Sequence, residues 1–410
     1  GTCVFASEIY EPSKKIFCAN LDVRSIPGEC VWGDIWNVNS SDVPSHDILV
    51  AGFPCQPFSS LGNQPGLEDS KTISGRKFGD QSNSHWKSPE NTNGRGQLFT
   101  QIVRILKDCQ PKAFLLENVP GLLTTPYKNG TAWQEIERSL ESAGYHISKE
   151  VISSRGMTAQ ARKRLYIVGI REHSRNLGLT KGAVEERKSE PFQFPFMPDL
   201  GLRAFDVLHS PEHLNTSLND TGIPKRLVHI LEQRLNSITP AALFRVSDSQ
   251  LHQLRNRSRA WKPAKLAWAD KSLDTIDSHY GVTVGKGNSQ LVPSPAPYHP
   301  RRFTPRECAR IMGFSNNFSL GEFDESRFSP RSDEEARFNG FIKEQYYMLG
   351  NAVCPPVISV LAGSILDYAL IDNEDWVEKG LWTGIKLSID AVSPDQESTV
   401  CSRLLSSLCR

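Results

Sequence analysis

Apolar and polar positions fall into short blocks along this chain, and the sharpest is 47–60, Asp47-Ile-Leu-Val-Ala-Gly-Phe-Pro-Cys-Gln-Pro-Phe-Ser-Ser60. Its apolar run, 48–53, closes at Gly52 and Pro54. A short apolar run bounded by Gly and Pro predicts a buried strand feeding a tight loop. The stretch 113–118 repeats the pattern and ends at Pro120-Gly121, and 145–153 and 164–170 predict two more strands. Cys3-Val-Phe-Ala-Ser7 reads as a strand that ends at Glu8.

Between these runs the period lengthens. Leu98, Ile102, Ile105 and Leu106 recur at helical spacing, so 96–109 predicts an amphipathic helix packed on a sheet. Further helices are predicted at 12–20, opened by Pro12, at 131–143, and at 357–368. Thr304, Pro305 and Glu307 supply the N-cap, first-turn proline and capping box of a helix over 304–313. Strands alternating with helices predict an α/β fold.

The pattern breaks down after 171 into charged residues and then Pro191-Phe-Gln-Phe-Pro195, a predicted domain boundary. The expected division is 1–185 for a first domain, 186–300 for a second region without comparable motifs, 301–372 for a return to the first domain, and 373–410 for a tail of no assigned role. A polar stretch between Ser70 and Gly94 reads as an inserted segment.

Composition narrows the class only a little. With 410 residues, 38% hydrophobic and 23% charged, the chain is long enough for two or three domains of ordinary globular composition. No run of about 18 apolar residues and no basic-then-apolar leader is visible, so neither a membrane span nor a secretory signal is expected. The nine cysteines lack paired C-x-x-C spacing, which argues against a zinc site or a disulfide framework, and a reducing compartment is the natural setting. Lys and Arg number 47 against 46 Asp and Glu, so a polyanionic partner would have to be met by local clusters. One such cluster is Arg255, Arg257, Arg259, Lys262 and Lys265 with Trp261 and Trp268, although a solvated surface face explains it as well.

The chemistry concentrates at three strand ends. Cys55 is flanked by Pro54 and Pro57, which fix φ and stiffen the loop, so its thiol is held in one direction. Glu117 and Asn118 close the second apolar run, and ligands of an open parallel sheet sit beyond such carboxyl ends, so Cys55 and Glu117 are expected to face one crevice. Gln160, Arg162 and Arg164 alternate just ahead of an apolar run, which puts them on one face.

In this order, Pro54-Cys55-Gln56, Glu117-Asn118-Val119 and Gln160-x-Arg162-x-Arg164 resemble the cytosine-C5 DNA methyltransferase family. Arg302-Phe-Thr-Pro-Arg-Glu-Cys-Ala-Arg-Ile-Met-Gly-Phe314 and Leu349-Gly-Asn-Ala-Val-Cys-Pro-Pro-Val357 look like its last two signature blocks. The resemblance covers roughly residues 3 to 370. It implies a Rossmann-like S-adenosylmethionine-dependent methyltransferase domain with a smaller target-recognition domain, acting on DNA and needing no metal. Oligomeric state is left open, and the setting would be the nucleus of a eukaryote or the cytoplasm of a bacterium.

The resemblance also implies roles. Cys55 would attack C6 of a flipped-out cytosine, Glu117 would donate a proton to N3, Arg164 would neutralise the pyrimidine carbonyl, and Arg162 would orient the loop and phosphate. Glu8 and Ile9, Asp34 and Ile35, Pro54, Leu98, Asn351, Ala352 and Val353 would hold the cofactor, with Glu8 on the ribose and Asp34 and Ile35 on the adenine. Ser59, Gln160 and Asn118 would contact the DNA. The family's opening strand and Phe-x-Gly-x-Gly loop have no counterpart before Gly1. A fragment or a degenerate member that binds the cofactor weakly is therefore expected. The alternatives are a transfer-RNA cytosine methyltransferase, whose Cys-Phe-Thr signature does not occur here, and a catalytically impaired DNA-binding homologue.

Overall fold

A computed structural model describes residues 2–21, 31–54, 97–127, 130–171, 191–209, 244–248, 265–266, 272–280, 290–293, 300–322, 334–369 and 376–394. Cys55, Ser59, the 70–94 stretch and the basic segment at 255–262 lie outside the described residues.

Four apolar runs form one sheet: β1 (Ile48–Gly52), β2 (Ala113–Asn118), β3 (Tyr145–Ser153) and β4 (Lys163–Arg171), in the spatial order β1-β2-β4-β3. β1 and β2 pair in parallel, with Gly52 opposite Glu117. β4 is antiparallel to both β2 and β3, so the sheet is mixed where an all-parallel one was expected. That reversal brings the start of β4 beside the carboxyl end of β2. β1 forms one margin of the sheet, and its Val50 is 65% exposed.

Among the described residues the helices of eight residues or more are, in chain order, α1 (Glu11–Asn20), α2 (Leu98–Cys109), α3 (Ala132–Glu141), α4 (Pro305–Met312), α5 (Glu334–Asn351), α6 (Pro355–Ala369) and α7 (Trp376–Asp390). Side chains alternate across a strand, and each face of the sheet has its own helical cover. Phe114, Leu116, Leu165 and Ile167 pack with Phe99, Ile102 and Leu106 of α2 and with Trp133, Ile136 and Leu140 of α3. Leu115, Tyr166 and Val168 face the other way, onto Val357, Val360 and Leu361 of α6. The predicted packing of 357–368 on the sheet is therefore observed.

A separate core joins the two outer regions of the sequence. Leu202, Val207, Phe244, Leu273, Ile276 and Tyr280 from the 186–300 region share it with Phe303, Ile311, Phe341, Tyr346 and Ile385. α4 anchors this core through the predicted capping box, in which Thr304 Oγ1 accepts from Glu307 N at 3.1 Å and Glu307 Oε2 accepts from Thr304 N at 2.7 Å. The same carboxylate takes both terminal nitrogens of Arg301, at 2.7 and 2.8 Å, and the His209 backbone N–H at 2.8 Å. Burial alone would raise the Glu307 pKa, but Arg301 and these donors outweigh it and hold it down at about 2. Helix α7 lies in the tail to which the sequence assigned nothing; its Gly380 and Gly384 lie against the backbone of α6, and Ile385 enters the core.

Candidate active site

The site grows from the end of β2. Glu117 points to the α6 side of the sheet, as do Tyr166, its cross-strand partner, and Arg164 two residues before Tyr166. Arg164 Nε meets Glu117 Oε1 at 2.8 Å, and the two side chains are only 15% and 17% exposed. A Cβ placed on Gly52 would lie 3.8 Å from Glu117 Oε2, so the end of β1, three residues before Cys55, runs directly alongside the carboxyl. Burial pushes the Glu117 carboxyl up from the usual range, and the guanidiniums of Arg164 and Arg162 pull against that shift without reversing it. A carboxyl that keeps its proton unusually well is suited to donating one.

Asn118 is buried: its Nδ2 donates to the Phe53 carbonyl at 3.2 Å and its Oδ1 accepts from Val119 N at 2.8 Å. Both ends of the amide are used inside the protein, as a brace between β2 and the chain entering Pro54-Cys55. Gln160 is held in the same way. Fully buried, it donates through Nε2 to the Ile311 carbonyl at 3.1 Å and accepts at Oε1 from Ile276 N at 3.2 Å.

Arg162 is buried as well, and backbone carbonyls hold its side chain. Nη1 donates to the Ile276 carbonyl at 2.9 Å, and Nη2 donates to the carbonyls of Gly350 at 3.0 Å and Ala352 at 2.8 Å. Desolvation lowers its pKa, and Arg164 adds to that. Of the three evenly spaced residues, Gln160 and Arg162 are buried among backbone carbonyls and Arg164 reaches Glu117.

The segments that carry the candidate cofactor residues are tied to one another. Trp32 N donates to the Ala6 carbonyl and Glu8 N to the Trp32 carbonyl, both at 2.9 Å, so two short segments run in parallel and present Glu8-Ile9 and Asp34-Ile35 side by side. Glu8 Oε1 accepts from Tyr10 N at 2.7 Å, and burial pushes its carboxyl up while the Tyr10 and Ile9 backbone donors oppose the shift. Asp34 Oδ1 accepts from Trp36 N at 3.1 Å. Arg104 of α2 donates to the Ile35 carbonyl at 3.3 Å and to Ser40 Oγ at 2.7 Å, which ties the helix carrying Leu98 to this pair. Tyr10 packs edge-on against Tyr347 of α5 with ring centres 5.4 Å apart, and α5 ends at Asn351.

Arg104, Tyr166 and the 273–276 segment were missed by the sequence reading. Arg104 gave one weak signal, a charged residue among the apolar positions of α2. Of the described cysteines, Cys308 and Cys354 are buried and burial pushes both thiols up, which makes them poor nucleophiles. No group of three or more metal-ligating side chains occurs among the described residues.

Comparison with known proteins agrees with this arrangement. Residues 1–73 and 84–367 match the model for C-5 cytosine-specific DNA methylase, and the break at 74–83 falls within the stretch read as an insertion. The chain is 31% identical over 365 residues to type II methyltransferase M.NlaX of Neisseria lactamica, covering 88% of this chain and 87% of that one. Type II methyltransferase M.DsaV of Dactylococcopsis salina is 29% identical over 373 residues, covering 90% and 80%. A triple mutant of Spodoptera frugiperda DNMT2 shares the fold, with a TM-score of 0.52 at 14% identity over 89% of this chain and 92% of its own. Since the match runs through every strand that frames the Glu117–Arg164 pair and on through α4, α5 and most of α6, the chain belongs to the C-5 cytosine-specific DNA methylase family.

Proposed function

We propose that this protein methylates C5 of cytosine in DNA at the expense of S-adenosylmethionine, with Cys55 as the nucleophile. The observation that carries the proposal is the little-exposed Glu117–Arg164 pair at 2.8 Å, set in register with Gly52 at the approach to Cys55.

Cytosine C5 is a poor nucleophile until something adds to C6. In the proposed step the Cys55 sulfur forms a bond to C6, the electron pair moves onto the ring toward N3, and Glu117 in its protonated form supplies the N3 proton. Arg164, already beside the acid, offsets negative charge developing on the pyrimidine carbonyl. The addition leaves C5 enamine-like and able to accept a methyl group. Once C5 carries the methyl group, a water takes its proton, the electron pair forms the C5–C6 double bond and expels the Cys55 thiolate, and N3 returns its proton to Glu117, which restores the neutral aromatic ring. The target base has to leave the duplex for these groups to reach it.

The residues present suit the cofactor. When bound, S-adenosylmethionine supplies an electrophilic methyl group on a sulfonium sulfur. Glu8 ends a strand-like segment with a carboxyl able to take ribose hydroxyls, and Asp34-Ile35 lies beside it for the adenine. Leu98 and the turn Asn351-Ala352-Val353 complete the proposed set.

Duplex DNA containing 5-fluorocytosine, incubated with the protein and S-adenosylmethionine, tests the proposal. Fluorine cannot leave as a proton does, so a denaturant-stable protein–DNA adduct should accumulate, and Cys55→Ala should abolish it. An adduct that persists in the Cys55→Ala protein sinks the assignment.

A further inference from the structure

The extended segment 273–276 runs against 159–162 like an added strand. Leu273 N donates to the Ala159 carbonyl at 2.7 Å and Ala161 N to the Leu273 carbonyl at 2.9 Å. Thr275 Oγ1 donates to the Ala161 carbonyl at 3.0 Å, and Gln160 Oε1 takes Ile276 N. One step further on, the backbone of Asp277 and Ser278 touches Gly350: a Cβ there would overlap the Asp277 carbonyl carbon and the Ser278 nitrogen. The segment comes from the region without catalytic motifs, whereas Gly350 begins the turn proposed to touch the cofactor.

Arg162 holds the two together. One nitrogen grips the Ile276 carbonyl and the other grips the carbonyls on either side of Asn351; the bonds to Ile276 and Gly350 are buried and the one to Ala352 is partly so. Its Nε makes no hydrogen bond among the described residues, so these three carbonyls are its whole hydrogen-bonded anchorage there. A buried guanidinium satisfied only by backbone from two separate elements cannot shift toward one without releasing the other, because each lost bond strands a desolvated group. Lysine cannot substitute: a single ammonium lacks the planar fork that spans the three acceptors.

We infer that Arg162 is a positioning residue that couples the cofactor turn at 350–353 to the 272–280 segment, so that binding at the first orders the second. The coupling rests on the cofactor site proposed above, and it is reciprocal: loosening 272–280 weakens cofactor binding although that segment is not part of the site.

Amide hydrogen exchange and titration calorimetry on the full chain, with S-adenosylhomocysteine as the probe, test it. In the unmodified protein the probe should slow exchange in peptides from 272–280 as well as from 349–354. In Arg162→Lys the slowing at 272–280 should disappear and the Kd should rise about tenfold. Thr275→Val removes one hydroxyl at the seam and keeps Arg162, so it serves even where Arg162→Lys does not fold; its Kd should rise about threefold or more. Exchange that slows only at 349–354 in the unmodified protein, or a Thr275→Val protein with unchanged Kd, overturns the coupling while leaving the cofactor site standing. Absence of any binding heat in the unmodified protein overturns the cofactor site and the coupling together.

Discussion

At Glu117, burial and charge pull in opposite directions. Desolvation raises its pKa, and Arg164 and Arg162 restrain the rise but do not cancel it. The folded state therefore binds this proton more tightly than the unfolded chain does. Its contribution to stability is fully present below the ordinary carboxylate range and is lost as pH rises through the raised folded value. The reaction follows the same direction, because the acid that donates to N3 is the protonated form. We expect turnover in unmodified protein to fall as pH rises through the Glu117 ionisation, and Glu117→Gln to lose about 10²-fold in kcat together with that limb of the profile. A Glu117→Gln protein with the original pH profile would assign the ionisation to another group. Glu117 and Arg164 stood out only because three short motifs follow one another in order at strand edges, since a strand-end Glu taken alone reads as a solvated residue. For Asn118, Gln160 and Arg162 the spacing does not say whether a polar side chain at a strand end is satisfied by backbone carbonyls, as here, or by a ligand.

The elements were easier to read than their directions. Apolar runs closed by Gly and Pro located β1 and β2, and the capping box located α4. Alternation with period two is the same in parallel and antiparallel strands, so the reversed course of β4 had no sequence signature. α7 was missed because Gly380 and Gly384 lower its helix propensity, while the close packing they permit against α6 comes only with the fold. β4 depends on a similar close contact. A Cβ at Gly169 would overlap the ring of Phe114, which is wholly buried on β2. Gly169→Ala should therefore cost about 1–3 kcal/mol in thermal or denaturant unfolding, and adding Phe114→Leu should recover part of the loss. If the second substitution recovers nothing, the cost arises somewhere other than this overlap.

On the scale of the whole molecule, the sheet and its helices form two cores, one on each face, and a third is shared between the 186–300 region and the C-terminal helices. The composition break at Pro191-Phe-Gln-Phe-Pro195 showed that the region changes character, but not that parts of it return to the catalytic body, since Leu273 and Ile276 look like any isolated apolar residues. Among the described residues several seams hold it there: His209 against Glu307, 273–276 against Gln160 and Arg162, Leu200 against Gly156, and Phe244–Val246 against 300–302. We propose that this region selects the recognised DNA sequence, and the seams say where it can be cut. The seams divide 186–300, so we expect the exchangeable parts to lie between them. A chimaera that replaces only 210–243 and 249–271 with a relative's counterparts keeps Phe244–Val246 and the other seams; it should unfold cooperatively and carry the donor's site preference, read by bisulfite mapping of methylated DNA. Preference that stays with the recipient would place recognition elsewhere. A chimaera that replaces 186–300 breaks every one of these seams, each hydrogen bond worth about 1 kcal/mol, and should be recovered mainly as insoluble protein. New specificities in such a scaffold can then be acquired by exchanging the stretches between the seams, while the buried seams are inherited with the catalytic domain.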